Sequence, residues 1–467
     1  MAEAIIPNQG RDDFLADLLL SVGFGEGVRY DHLHSRWLVW GGVRWRPDRQ
    51  RLIYDRMRQC AVALWAASSD EEGSKRKMLS TLFDTGRKEG VLKSLSAREG
   101  IAMAGTEWDR DPYLLGFENG VLDLRTRTFD AHPTPDLLIS KSVGADWDES
   151  ATCPIFAKFI QDILSHDDDL IRYVLHLLGY SLFGLQSEQK FWMWVGRGSN
   201  GKGVLARTML RAMGDYADAP SDTLYMRTRF GSARSDAARP DLLRLQSVRF
   251  TAMSEPPGGQ FNEEMLKAHT GEDVILARDL YGKSDQMATF PPTHKIIFLT
   301  NDPPKTDDVG ISMRRRARVV RFEEDYTGPN ADMTIEDRMK EEQAGILRVL
   351  SIYAMQWWNG GDPGLAEPVK VTAWSTEYIE ENDPLAGFVQ ECCLVARHLV
   401  GSSALLWASY EDWAARRSAE PMSRTGFGLA LGRRFKKGHR ETGTVFFGVK
   451  AKSAVEMSDG DDGDDGN

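Results

Sequence analysis

The chain has 467 residues, 42% apolar and 27% charged, enough apolar length to bury real cores and too much for a disordered chain. Its 58 basic and 69 acidic residues leave a net charge of −11, which argues against a uniformly basic nucleic-acid coat. No run of about 18 apolar residues occurs, so no membrane-spanning helix is expected. Length alone suggests about three domains. The first residues, Met-Ala-Glu-Ala-Ile-Ile-Pro, lack the basic and apolar stretches of a secretory leader, and none is expected. Cys60, Cys153, Cys392 and Cys393 have no CxxC spacing, which fits a reduced, intracellular setting.

Residues 1–110 combine helical periodicity with a Trp-rich hairpin. Its strands are Arg36-Trp-Leu-Val-Trp40 and Val43-Arg-Trp-Arg46, joined by Gly41-Gly42, a two-residue hairpin signal. Trp37, Trp40 and Trp45 beside Arg36, Arg44 and Arg46 suit either base stacking or, the commoner use of tryptophan, a core with a wet basic face. Residues 111–185 open on Tyr113-Leu-Leu-Gly-Phe-Glu-Asn-Gly-Val-Leu-Asp-Leu124, where Asn119-Gly120 marks a turn. The rest of that region reads as mostly helical. Asp167-Asp-Asp169 caps a stripe of Leu170, Val174, Leu177, Leu178 and Leu182.

From residue 186 to 365 the pattern changes to short buried strands, at 191–195, 248–253, 295–300 and 317–322, separated by longer segments. That alternation predicts an α/β fold with a parallel sheet. A helix with Ile346, Leu350, Tyr353 and Trp357 on one face stops at Gly360-Gly361. Residues 366–452 read as helices followed by a strand pair, the outline of a winged-helix-like module. Within it, Ser423 to Lys452 holds Arg424, Arg433, Arg434, Lys436, Lys437, Arg440, Lys450 and Lys452 against one acid, Glu441. The tail, 453–467, carries five aspartates and is expected to be solvated and disordered.

The most informative stretch is Gly196-Arg-Gly-Ser-Asn-Gly-Lys-Gly203. It follows a strand and opens onto a helical run beginning at Val204. Glycines let the backbone curl until several N–H groups face one anion, and the helix N-terminus adds its positive end. Gly196, Gly198, Ser199, Asn200, Gly201, Lys202, Gly203 and Val204 are therefore the candidate phosphate-binding residues, with Lys202 reaching the β- and γ-phosphates. The hydroxyl that usually follows the lysine and ligates Mg²⁺ is replaced by Gly203. Glu255 ends the strand at 248–253, where a base for attacking water or a metal ligand must sit. Asn301 ends the strand at 295–300, where it can hold the γ-phosphate or that water. Arg314-Arg-Arg316 follows, a source of transition-state charge neutralisation.

Together these motifs resemble the superfamily 3 helicases, a branch of the AAA+ ATPases, and within them the phage/plasmid primase–helicase family related to poxvirus primase–helicases. The resemblance rests on Asp111-Pro-Tyr-Leu-Leu-Gly-Phe-Glu-Asn-Gly-Val-Leu-Asp-Leu124, Gly179-Tyr-Ser-Leu-Phe-Gly184, Asn200-Gly-Lys202, Ser254-Glu255, the stretch 266–278 and Thr300-Asn301. It covers about residues 100–450. It implies an AAA+ type parallel-sheet P-loop core, an α-rich N-terminal region and a C-terminal winged helix.

The resemblance also implies ATP and Mg²⁺ as cofactors, with Lys202, Glu255, Asn301, Arg315 and Arg316 catalytic and Glu255 near the metal. Arg315 is the preferred arginine finger, supplied to a neighbouring subunit in a ring that the resemblance implies is a hexamer. A hairpin over 274–290 would carry Arg278, Tyr281 and Lys283 to single-stranded DNA in a channel, and the C-terminal module would hold duplex or fork DNA. The implied activity is ATP-dependent 3′→5′ DNA unwinding for a phage, plasmid or integrated element in a bacterial cytoplasm. A separate primase or other replication proteins would be partners, since no primase motif is evident, and no membrane contact is expected. The alternatives are an ATP-switched initiator or packaging module that remodels DNA without processive unwinding, and a DNA-binding scaffold with a decayed nucleotide site.

Overall fold

A computed structural model describes residues 11–68, 73–227, 239–254, 259–277, 287–328, 331–360, 364–417, 421–441 and 443–452. Glu255, Arg278, Tyr281, Lys283 and the acidic tail lie outside these residues. The N-terminal unit is a four-stranded sheet of β1 (Val28–Asp31), β2 (Arg36–Trp40), β3 (Trp45–Pro47) and β4 (Ala102–Met103), ordered β3-β2-β1-β4. Helices α1 (Arg11–Ser21), α2 (Leu52–Ala67), α3 (Gly73–Ser80) and α4 (Thr85–Leu95) accompany it. Leu15, Leu19, Val28, Ile53, Met57 and Leu95 form its buried core.

The Trp-rich hairpin forms, but wider than expected. Trp40 pairs with Trp45, and the Gly41 N–H donates to the Arg44 carbonyl at 2.9 Å. Val43 and Arg44 leave the strand because the Arg44 guanidinium turns to Glu118 Oε1 (3.0 Å) and the Ser140 carbonyl (2.7 Å). Trp45 is fully buried against Trp108, with ring centroids 5.7 Å apart. Of the two uses considered for the hairpin, Trp45, Arg44 and Arg46 therefore take the structural one, the last pairing with Glu118 at 2.6 Å.

Residues 111–185 are less helical than the sequence suggests. They begin with a three-stranded antiparallel sheet, β5 (Leu114–Gly116), β6 (Val121–Asp123) and β7 (Thr128–Asp130). The Asn119-Gly120 turn is present, closed by Phe117 N–H to the Gly120 carbonyl at 2.8 Å. Only then come α5 (Pro154–Ile163) and α6 (Asp168–Tyr180). The strands are three residues each, too short for period-2 alternation to declare itself. Helix α6 is as expected: Asp167 Oδ1 accepts the Leu170 N–H at 3.0 Å, and Leu170, Val174, Leu177 and Leu178 are buried.

The central unit contains β8 (Phe191–Val195), α7 (Lys202–Met213), β9 (Ala217–Asp218), α8 (Pro240–Leu243), β10 (Phe250–Ser254) and α9 (Glu263–Thr270). A small pair follows, β11 (Ile275–Ala277) and β12 (Ala288–Phe290), then β13 (Lys295–Thr300), α10 (Ile311–Arg316) and β14 (Ala317–Arg321). Five strands make one sheet in the order β14-β8-β13-β10-β9, parallel throughout. The four strands read from the sequence are all in it; β9, two residues long, was not foreseen. Helices α11 (Ile335–Lys340), α12 (Gln343–Asn359) and α13 (Val369–Glu381) complete the unit.

Both faces of β8 are covered. Trp192 and Trp194 face Leu205 and Met209 of α7 and Leu350 of α12. Phe191 and Met193 face the opposite core with Leu266 of α9, Met313 of α10 and Ile379 of α13. That is why β8 reads as a continuous apolar run rather than an alternating one. Each such side chain contributes on the order of 1.5–3 kcal/mol of burial. 

The C-terminal unit follows as α14 (Ala386–Cys392), β15 (Cys393–Ser402), α15 (Ser403–Arg416), α16 (Arg424–Arg434), β16 (Lys436–Arg440) and β17 (Gly443–Ala451). Its sheet is antiparallel, ordered β15-β17-β16. All four cysteines are free thiols. Among the described residues no helix is long and apolar enough to cross a membrane.

Candidate nucleotide site

The order of the parallel strands places the site. From β8 the chain runs to β9 at one edge, returns through β10 and β13, then crosses β8 to β14 on the other side. A crevice opens at the carboxyl ends of the strands where such a reversal occurs. The register aligns Val195 with Thr300 on one side and Arg321 on the other. The loop 196–201 therefore leaves β8 directly beside Asn301.

The loop is bent by left-handed residues, Gly198 (φ +104°), Ser199 (φ +47°) and Gly201 (φ +83°). At Gly201 a Cβ would also overlap Ile163 of α5, so both backbone and space require glycine. Gly201 caps α7, with no side chain closing the helix N-terminus and no acid in its first turn. The first amides of α7 thus keep their capacity for an anion.

Side chains brace this curl. Asn200 is 2% exposed and donates from Nδ2 to the Phe322 carbonyl at 3.2 Å. The Tyr326 N–H donates to the Ser199 carbonyl at 2.8 Å. Lys202 Nζ donates to the Gly196 carbonyl at 2.8 Å and to Asn301 Oδ1 at 3.1 Å. The two residues assigned to the same phosphate from the sequence therefore touch each other across adjacent strands. Gly203 has open space: a Cβ there would meet only the tip of Arg207, at 3.3 Å.

A cavity of about 570 Å³ lies beside the loop, a size fit for a small ligand. Ser199, Gly201 and Val204 form one wall; Ile155, Phe159 and Ile163 of α5 another; Tyr326, Met333 and Ile335 close the third. Sequence reasoning found the first wall and missed the other two. The apolar stripe of α5 was the available signal, but nothing in it says which side chains face a ligand rather than a core.

The arginines divide. Arg316 is 7% exposed, and its guanidinium donates to Thr270 Oγ1 (3.2 Å) and Ser312 Oγ (2.9 Å). Burial, aided by the charge of Arg315, lowers its pKa. Arg314 donates to the Val309 carbonyl at 3.0 Å. Arg315 is exposed and makes no side-chain hydrogen bond or ion pair among the described residues. It lies at the amino ends of the strands, the opposite end from the loop, because Ala317 pairs with Phe191, the first residue of β8. Four residues of strand, about 13 Å, separate that end from Val195.

Among the described residues no group of three or more His, Cys, Asp or Glu could hold a metal ion. Beneath the sheet lies a polar cluster that no motif announced. Tyr225 Oη bonds His269 Nδ1 (3.0 Å) and His294 Nε2 (2.9 Å). Burial, helped by the charge of Arg239, pushes the His269 pKa down to about 4; burial with His269 and Lys295 nearby pushes that of His294 down as well.

Residues 13–165 match the family described as D5 N terminal like; the match starts well before the first residue of the motif resemblance. An inferred helicase of Acanthamoeba polyphaga mimivirus, L207/L206, is 27% identical across 78% of this chain and 40% of its own length. An inferred helicase of Invertebrate iridescent virus 6, 184R, is 25% identical across 58% of this chain and 28% of its own length. An inferred primase of African swine fever virus (strain Badajoz 1971 Vero-adapted), C962R, is 25% identical across 48% of this chain and 23% of its own length. The chain thus spans less than half the length of these curated relatives. An apo structure of the NrS-1 C terminal region is similar at a TM-score of 0.46 and 10% identity, covering 95% of this chain and all of that one. The motif-based resemblance to poxvirus-type primase–helicases has named counterparts in these curated relatives. They are viral, and give no support to the bacterial host that the resemblance implied.

Proposed function

We propose that this chain is an ATP-driven helicase-type motor acting on DNA during replication of a virus or mobile element. The observation that carries the reading is the Lys202–Asn301 contact beside an uncapped helix N-terminus, at the carboxyl ends of two adjacent parallel strands. A triphosphate lies across the amides of 198–203, Lys202 exchanges its loop partners for β/γ-phosphate oxygens, and Asn301 meets the γ-phosphate. The cavity lined by Phe159, Ile163 and Tyr326 takes the nucleoside. Such apolar walls with few polar groups suit a base.

Glu255, the residue after β10, is assigned as the base for the attacking water and the carboxylate nearest Mg²⁺. The ion would neutralise phosphate charge. With glycine at 203 that position offers no hydroxyl to such an ion, so Glu255 would be the residue left to hold it. Arg315 is assigned as a finger acting in trans. Its position at the amino ends of the strands keeps it from its own loop, which supports a ring in which it serves the neighbour. Arg316, held by Thr270 and Ser312, positions the end of α10 instead. The three helices and antiparallel ribbon of 386–451 are assigned as a winged-helix arm for duplex or fork DNA, and Arg278, Tyr281 and Lys283 as the channel grip. Unwinding is expected to run 3′→5′.

Lys202→Ala tests the core of this reading. DNA-stimulated ATP hydrolysis should fall at least about 10²-fold, since the phosphate loses a charge-assisted partner in the transition state. Wild-type turnover in that variant would place the site elsewhere. Mixing Lys202→Ala with Arg315→Ala subunits should restore part of the activity; absence of recovery in verified mixed assemblies would remove the finger in trans. Hydrolysis without strand displacement on forked DNA would favour the ATP-switched remodelling alternative.

A further inference from the structure

The N-terminal unit holds a second cavity, of about 460 Å³, remote in sequence from the nucleotide loop. Tyr30 of β1, Trp37 of β2 and Tyr54 of α2 supply its aromatic lining; Arg36, Arg51 and Lys93 supply its cations. The Tyr30 and Trp37 rings meet edge-on, with centroids 4.9 Å apart, and Tyr30 also meets His32 edge-on at 4.8 Å; with Tyr54 they pack partly against the N-terminal core and stay half-exposed. The Arg51 guanidinium lies 5.8 Å from the Tyr54 ring centroid.

The carboxylates in and around this cavity are already engaged. Asp48 accepts the amides of Leu52 (2.7 Å) and Ile53 (2.9 Å), closing the start of α2. Glu89 accepts the Tyr54 hydroxyl. Asp31, fully buried, accepts from His34 (2.8 Å) and Arg36 (3.3 Å). Arg51 and Lys93 are exposed and make no side-chain hydrogen bond or ion pair among the described residues. The cavity therefore joins half-buried aromatic rings to two exposed cations that hold no carboxylate among the described residues, Arg51 lying over the Tyr54 ring.

We propose that this cavity docks one nucleotide unit of single-stranded DNA. The base lies against Trp37, between Tyr30 and Tyr54, and the adjoining phosphates meet Arg51 and Lys93. A duplex cannot use such a site, because its base faces are covered by their neighbours; an unpaired strand can splay one base out. The choice of DNA rests on the helicase reading above; the aromatic-and-cation chemistry does not.

The test uses the full chain and a fluorescent oligothymidylate, with binding followed by anisotropy across a salt series. In Arg51→Gln/Lys93→Gln, affinity should fall and the slope of log K against log salt should shrink by about 1.4, the release of two phosphate contacts on a single strand. Trp37→Ala should weaken binding about 5- to 150-fold, the range of one lost base stack, and Trp37→Phe should restore most of it. A 5-iododeoxyuridine placed in the oligonucleotide should cross-link to peptides within 30–54. DNA-free ATP hydrolysis should stay unchanged in the double glutamine variant, which separates this result from any failure at Lys202. Unaltered affinity and salt slope in that variant, cross-links confined to other regions, or tighter capture of oligouridylate than of oligothymidylate would overturn the proposal.

Discussion

Two strands of similar composition meet opposite fates. Strand β8, Phe191-Trp-Met-Trp-Val195, buries its first four side chains; strand β2, Arg36-Trp-Leu-Val-Trp40, buries only Leu38. Both carry two tryptophans. The difference is the layers around them. Strand β8 lies between two parallel neighbours with helices on both faces, so even its polar backbone is enclosed. Strand β2 sits between antiparallel partners in a small sheet, where arginine at its first position keeps one end wet. The enclosed strand can hold the glycine loop rigidly at its end; the half-covered one keeps both its tryptophans partly exposed.

The largest expected contrast is in stability. Trp192→Ala should cost about 3–5 kcal/mol, as large-to-small substitutions of buried aromatics do, and it also strips the Tyr173 hydroxyl of its 2.8 Å indole partner. Trp40→Ala, on a partly exposed ring 5.6 Å from Trp45, should cost about 1–2 kcal/mol, because less surface is uncovered. Urea unfolding of the two variants measures the difference; equal losses would mean that β2 is as enclosed as β8.

Acid should separate the same two regions. His269 has its folded pKa pushed down to about 4 by burial, below the unfolded value of about 6.5. The unfolded chain then binds the extra proton, so stability is complete above pH 6.5 and falls by about 3 kcal/mol as pH drops towards 4. In the N-terminal sheet, burial alone would raise the Asp31 pKa, but hydrogen bonds and charge from His34 with Arg36 hold it below 3.8. Its contribution is present above that value and is lost only on further acidification. Hydrogen exchange against pH should show protection around β13 weakening before protection around β1. His269→Gln should flatten the first phase and leave the second; an unchanged first phase would point to another group.

The smallest effect concerns Gly203. Serine fits there, since the only neighbour is the tip of Arg207, and it should stabilise α7 by a few tenths of a kcal/mol. The Mg²⁺ concentration for half-maximal ATP hydrolysis should fall if the new hydroxyl ligates the ion. An unmoved titration curve would mean that another ligand already fills that position.

The sequence by itself determined the local elements whose signals are local. The strand–glycine loop–helix of 191–213, the Asp167 cap, the Asn119-Gly120 turn and the four long parallel strands are all where their patterns put them. It also put the glycine loop and Asn301 at the carboxyl ends of two buried strands, which the structure makes neighbours, with Lys202 Nζ 3.1 Å from Asn301 Oδ1. Only tertiary structure decided which of Arg314, Arg315 and Arg316 is exposed: three identical side chains differ only in what α10 packs against, Thr270 and Ser312 for the last of them. The same holds for the α5 wall of the cavity beside the loop, the buried Tyr225–His269–His294 cluster and the cavity around Trp37. Each joins residues far apart in the chain, and an apolar or aromatic pattern reports that a face is covered without saying by what. Strands β5 and β6 were legible as the hairpin around Asn119-Gly120, whereas β7 and β9 went unread because two or three residues carry too little period to be seen.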